Sequence, residues 1–158
     1  MVDRAPLSEE EQAVWRPLTR VITVLPRVLE DQFAHDTGIS MTDYTVLVSL
    51  SEADGERLRL TDLAKATALS LSRISRVVDS LVKRGLLRKV KCANDGRAAN
   101  AELTAAGRAK LRTAYPGHLA RVRSHLFDHL SPEEVRSAGP ILGRLAAALE
   151  PDGQQCPE

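Results

Sequence analysis

Apolar residues recur at spacings of three and four along most of the chain, and alternate with polar residues over only short stretches. That pattern predicts a mostly helical protein with a small sheet. Ser8-Glu9-Glu10-Glu11 is a capping box, with Ser at the cap and Glu three places on. Behind it Val14, Leu18, Val21, Leu25 and Val28 form a stripe, widened by Trp15, Ile22 and Leu29. Pro17 and Pro26 lie inside this long helix, and each removes a backbone hydrogen bond, so a bend or a division is expected. Gly38 ends the segment, and Ser40 or Thr42 caps a second helix with Tyr44, Leu47, Val48 and Leu50 inward. Asp54-Gly55 is a turn, and Arg57-Leu58-Arg59-Leu60 fits a short strand.

The centre of the chain, residues 61–97, reads as two short helices followed by a basic hairpin. Thr61 is the expected cap of the first, with Asp62 in its opening turn. Ala68 and Leu69 break it, and Ser70 caps a second helix running to about Arg84. On that second helix Leu71, Ile74, Val77, Val78, Leu81 and Val82 form the stripe expected to be buried. The opposite face carries Ser72, Ser75, Arg76, Asp79 and Lys83, with Arg73 on its flank. Small donors at the start and cations along the rest suit a helix that enters a major groove.

Gly85 ends this helix and Leu86 to Cys92 reads as a strand. A second strand, Ala99 to Leu103, turns Ala99, Ala101 and Leu103 inward and Asn100 and Glu102 outward. Between them 93–98 holds the Asn, Asp and Gly of a hairpin tip. The sum is a winged helix-turn-helix. Arg97 on the tip can enter a narrow minor groove, with Asp95 holding its guanidinium by a charge-assisted hydrogen bond.

Thr104 caps the next helix, with Leu111, Tyr115, Leu119, Val122, Leu126 and Leu130 on one side and a kink expected at Pro116-Gly117. Ser131-Pro132-Glu133-Glu134 opens the last helix, which runs to about Leu149 with Val135, Leu142, Leu145 and Leu149 expected to be buried and Pro140 bending it. The tail 151–158 reads as disordered. These terminal stripes exceed what the central module can cover, which argues for a two-fold homodimer. The expected layout is one domain, with dimerisation helices at about 8–37 and 104–149 and the winged helix-turn-helix at about 42–103.

Charge sharpens this picture. The chain of 158 residues carries a net charge of only +1. Residues 1–60 balance at −5, whereas 73–97 balance at +6, and phosphate attraction follows the local field. A solvated basic surface is the bland alternative for such a run alone. With 43% hydrophobic and 27% charged residues, the composition is that of a globular protein. No apolar run approaches a membrane span, and the acidic N-terminus lacks the hydrophobic segment of a secretory signal. Two cysteines, Cys92 and Cys156, build no disulfide framework, which fits a cytoplasmic setting.

In order, a helix-turn-helix, the Gly85-Leu86-Leu87 strand entry, the wing Asp95-Gly96-Arg97 and Leu103-Thr104-Ala105-Ala106-Gly107 resemble the MarR family of bacterial transcription regulators. The wing matches that family's Asp-x-Arg signature, and the likeness spans about Val14 to Leu149. It departs at Ala98 and Ala99, where the family often carries further basic residues. The resemblance implies a homodimer on duplex DNA, with one recognition helix per copy and half-sites one helical turn apart. The residues expected at DNA are Ser70, Ser72, Arg73, Ser75, Arg76, Asp95 and Arg97, with Lys89 and Lys91 on the wing and Thr61 and Lys83 on phosphates. Arg76 is the expected base reader, since arginine pairs bidentately with guanine. For Arg73 the alternative is an ion pair with Asp79. The resemblance further implies a repressor responsive to a small, often phenolic effector. Trp15, Tyr44, Tyr115 and His118 are the candidates to line its cavity, against ordinary core or interface packing.

Other chemistry finds little footing. His118, His125 and His129 are expected on one helix face, but no Cys or carboxylate completes a metal set, so boundary histidines are the plainer reading. Cys92 beside Lys91 and Lys89 is either a packed thiol or a redox-sensitive one. No nucleophile and base pair, phosphate-binding glycine loop or catalytic carboxylate pair stands out, so neither an enzyme nor a cofactor is expected. The competing class is a winged-helix module that grips protein instead of DNA.

Overall fold

The computed structural model describes residues 5–92 and 95–149, and the side chains of residues 91–98 lie outside that description. Six helices and three strands follow in the order α1 (Glu9–Thr37), α2 (Met41–Ser51), β1 (Arg57–Arg59), α3 (Leu60–Ala66), α4 (Leu71–Lys83), β2 (Leu87–Cys92), β3 (Asp95–Leu103), α5 (Ala105–His125) and α6 (Pro132–Leu149). The strands form one antiparallel sheet in the order β1-β3-β2. One compact unit runs to Leu119 and a second starts at Ala120.

Capping sets most helix ends in the first unit. Ser8 accepts from the Glu11 amide while the Glu11 carboxylate accepts from Ser8, and Ser40 and Asp43 repeat that reciprocal pair at α2. Gly38 ends α1 in the left-handed region at φ 67°. At the end of α4 the Leu86 amide reaches the Leu81 carbonyl and the Gly85 amide reaches Val82, with Gly85 at φ 72°. This Schellman turn delivers the chain directly into β2.

The core lies where α1, α2, α3, α4 and the sheet converge. Phe33, Val46, Leu47, Leu50, Leu63, Ile74, Val78, Leu81 and Ala101 are all fully buried, and Leu87 and Leu103 nearly so. Each such aliphatic side chain is worth about 1.5–3 kcal/mol relative to exposure. In the register Leu87 faces Leu103 and Leu58 faces Ala101, so the inward positions of β1, β2 and β3 meet across the sheet. Thr104 locks the start of α5 onto the turn between α4 and β2. Its hydroxyl accepts from the Gly107 amide at 3.1 Å and donates to the Gly85 and Leu86 carbonyls at 2.8 and 2.9 Å. A Cβ at Gly107 would overlap the Leu86 carbonyl oxygen, so only glycine allows this close approach.

Several expectations need correction. Of the bend or division expected at Pro17 and Pro26 the division does not occur, since α1 is one continuous helix. The carbonyls that lose a partner belong to Ala13 and Ile22, exposed residues that solvent can satisfy. α5 likewise continues through Pro116 and α6 through Pro140. Thr61 is not a cap: α3 starts one residue earlier, at Leu60, with Arg59 before it and no side-chain cap. The strand expected over 57–60 therefore stops at Arg59. β3 reaches back to Asp95, and Cys92 pairs with Asp95, so the hairpin connection is shorter than 93–98. Leu86 precedes the strand it was expected to open.

In the second unit α6 opens on Ser131, whose hydroxyl accepts from Glu134 while the Glu134 carboxylate accepts from the Ser131 amide. None of its residues is buried: Val135, Leu142, Leu145 and Leu149, expected to be covered, are all exposed. Ahead of α6 a short 3-10 turn spans Phe127–His129. His129 therefore does not share a helix face with His118 and His125. The tail expected to be disordered, 151–158, lies outside the described residues.

Candidate nucleic-acid interface

α4 presents two faces of unlike chemistry. Ile74, Val78 and Leu81 are fully buried, with Val77 and Val82 packed partly buried beside them. Ser72, Arg73, Arg76, Asp79 and Lys83 are exposed and Ser75 is half-buried at the boundary. Leu71 departs from the expected stripe, since half of it is exposed. It sits in the first helical turn, ahead of the point where the core closes over α4.

The start of α4 is organised by its own hydroxyls. The Ser70 side chain accepts from the Arg73 amide at 3.4 Å and lies 3.2 Å from the Ser72 hydroxyl. Arg76 lies back along the helix, its Nε donating to the Ser72 carbonyl at 3.4 Å. Such a contact is weak and readily exchanged for a stronger acceptor. No ion pair or hydrogen bond to another described residue engages the Arg73 or Lys83 side chain. The alternative partner considered for Arg73 is taken: Asp79 pairs with Lys89 of β2 at 2.6 Å. That contact ties α4 to β2 of the wing. Thr61 is exposed on α3.

Arg84 belongs to the basic cluster by sequence but holds the fold together. Its Nη2 donates to the Gly38 carbonyl at 2.7 Å and its Nη1 pairs with Asp43 at 3.1 Å. The end of α4 is thereby braced to the turn between α1 and α2. At the same turn the Met41 amide donates to Glu30 at 2.8 Å. No feature of the local sequence marks Arg84 as different from Lys83, because its partners lie over forty residues away.

On the sheet, Arg88 of β2 pairs with Glu102 of β3 at 2.5 Å, and Arg108 of α5 pairs with Glu56. The Arg88 guanidinium holds the Glu102 carboxyl below the usual carboxylate range, aided by the charges of Arg57 and Arg108. Lys91, Asp95 and Arg97 occupy strand positions on the wing, and their side chains, with that of Cys92, lie outside the described residues. So do Ala93 and Asn94.

Three of the four residues expected around an effector come together. The Tyr44 ring lies 5.1 Å from that of Phe33 and 4.8 Å from that of His118. Tyr44 and the half-exposed Tyr115 line a cavity of about 400 Å³ with Val48, Leu111, Glu52 and Arg112. Burial pushes the Tyr44 phenol above its ordinary value, and Tyr115 and Glu52 add to the effect, so it stays a hydrogen-bond donor at neutral pH. Trp15 is not part of this group; it is exposed on α1. No described helix is long and apolar enough to cross a membrane.

Comparison with known proteins agrees with this geometry. Residues 37–98, from the end of α1 into the wing, match the MarR family model. The HTH-type transcriptional repressor YetL of Bacillus subtilis is 31% identical over 123 residues, covering 75% of this chain and 72% of its own. Among solved structures, Sco3205, a MarR family transcriptional regulator from Streptomyces coelicolor in complex with DNA, is 38% identical. It superposes at a TM-score of 0.88 over 99% of this chain and 98% of that one. AbsC, another MarR family regulator from the same organism, is 36% identical, with a TM-score of 0.83 over 92% and 98%. The chain belongs to the MarR family of winged-helix, DNA-binding transcriptional regulators.

Proposed function

We propose that this chain represses transcription by binding a pseudo-palindromic operator as a homodimer, each copy laying α4 in a major groove. The observation that carries this reading is the division of α4. One face is locked into the core, and the other offers Ser72, Arg73, Arg76 and Lys83 with no competing ion pair among the described residues. In this reading Ser70, Ser72, Arg73, Ser75 and Arg76 meet bases and nearby phosphates, and Thr61 and Lys83 touch the backbone. Arg76 pairs with a guanine, releasing its loose hold on Ser72. Lys91, Asp95 and Arg97 place the wing in the adjacent minor groove. Lys89 contributes mainly by holding Asp79, so that α4 and the wing approach DNA as one piece.

The exposed stripe of α6 and the apolar residues of α1, among them Val14, Trp15, Val21 and Ile22, are the surfaces a second copy covers. The cavity beside Tyr44 and Tyr115 is of a size for a small phenolic effector, with Arg112 and Glu52 as polar handles and His118 supporting the Tyr44 ring. Such an effector acts by preferring a state with the wrong spacing between the two recognition helices.

The test is a gel shift with the DNA upstream of the chain's own gene and its divergent neighbour. A retarded band is expected for the wild type and its loss in Arg76→Ala and Arg97→Ala. Binding that survives in both variants, or no band with any operator-length duplex, would instead favour a protein-binding winged helix.

A further inference from the structure

We infer that Leu71 reads thymine, its exposed side chain packing on the C5-methyl group of one thymine in each half-site. The inference rests on the proposed DNA reading and adds a specificity element to it. Sequence periodicity assigns Leu71 to the buried stripe, yet it is 50% exposed while Ile74, Val78 and Leu81 are at 0%. Its neighbour Leu69 packs against the core, so the apolar character of this stretch is already satisfied without Leu71. At 100° per residue Leu71 projects 40° from Ser75 and 100° from Ser72, on the edge where the apolar face meets the polar one.

The position matters as much as the exposure. Leu71 is the first residue of α4, directly after the capping Ser70 and next to Ser72 and Arg73, both exposed. The N-terminal residues of a recognition helix are those that reach base edges. A leucine there makes no hydrogen bond, so it gains nothing from most of the groove floor. Within the major groove only thymine offers an aliphatic group, its C5 methyl. Burying that methyl against Leu71 removes apolar surface from water on both sides, and one such group is worth about a fourfold change in affinity. Two copies on a two-fold operator would place the preferred thymines symmetrically.

Replacing thymine by deoxyuridine deletes the methyl and leaves every hydrogen-bonding atom in place, which makes the test direct. The full-length chain is first used to select bound duplexes from a random pool. Each thymine of the selected half-site is then replaced in turn by deoxyuridine, and binding is measured by fluorescence anisotropy. The wild type is expected to weaken about fourfold at one thymine per half-site and to ignore the others. Leu71→Ala should bind the thymine and deoxyuridine duplexes equally, with an unchanged salt dependence, whereas Leu71→Met should keep the preference. Thermal melting of Leu71→Ala close to the wild type excludes a folding defect. The inference is overturned if the wild type binds every substituted duplex equally, or if Leu71→Ala retains the discrimination. Failure to enrich any duplex would defeat the DNA reading, and the role of Leu71 with it.

Discussion

Helices α4 and α6 both carry apolar residues at helical spacing, yet they end in opposite surroundings. In α4 the stripe Ile74, Val78 and Leu81 is completely buried by its own chain. In α6 the stripe Val135, Leu142, Leu145 and Leu149 is exposed, the last to 83%. Periodicity therefore states which face seeks cover and is silent about what supplies it. For α4 the cover is α2, α3 and the wing sheet within one compact unit. For α6 we propose a second copy of the chain. The same distinction explains why α4 can present a fixed polar face to DNA, since its apolar face is anchored before any partner arrives.

Truncating the buried stripe should have the largest effect. Leu81→Ala removes a fully buried side chain and is expected to cost about 3 kcal/mol, seen as a lower denaturant midpoint with an unchanged slope. The same kind of change on α6 should behave differently. Leu142→Asp with Leu145→Asp should leave helicity intact and convert the dimer to a single-copy species in light scattering, because those side chains are exposed within one chain. A wild type that is already single-copy would refute the proposed cover. A smaller effect is expected at the brace behind α4. Arg84→Ala should lose about 1 kcal/mol of stability while the salt dependence of DNA binding stays the same, since Arg84 holds Gly38 and Asp43 and no phosphate. The smallest concerns Glu102. Its carboxyl is held below the ordinary range by Arg88, so its stabilisation is present at neutral pH and lost as pH falls through the lowered value. Glu102→Gln should accordingly show a slightly shallower loss of stability in acid, most visible at low salt.

Much of this fold was legible in the chain because it is fixed locally. The caps Ser8, Ser70 and Ser131 and the stop at Gly38 depend on residues within a few positions and stand as read, and of the two caps offered for α2 the structure uses Ser40. Thr61 misled because a good capping residue sits one place inside a helix that starts without any side-chain cap. The prolines divide no helix, because solvent can reach the carbonyls they free, and a sequence pattern does not state that exposure. Of the site, the polar face of α4 was readable from helical geometry. The exposure of Leu71, the bracing role of Arg84 and the capture of Lys89 by Asp79 were not, since each is decided by residues distant in sequence. Tyr44 and Tyr115 line one cavity from α2 and α5, whereas Trp15 carried no signal separating it from them.

The central claim, a cationic face held rigid for a duplex, is tested most directly by the salt dependence of binding to an operator-length duplex. If paired copies engage six or more phosphates through α4 and the wing, affinity should fall about a thousandfold between 50 and 200 mM salt, as measured by fluorescence anisotropy. Affinity that changes by less than about threefold over that range would contradict the account, because phosphate neutralisation on this scale always releases counterions.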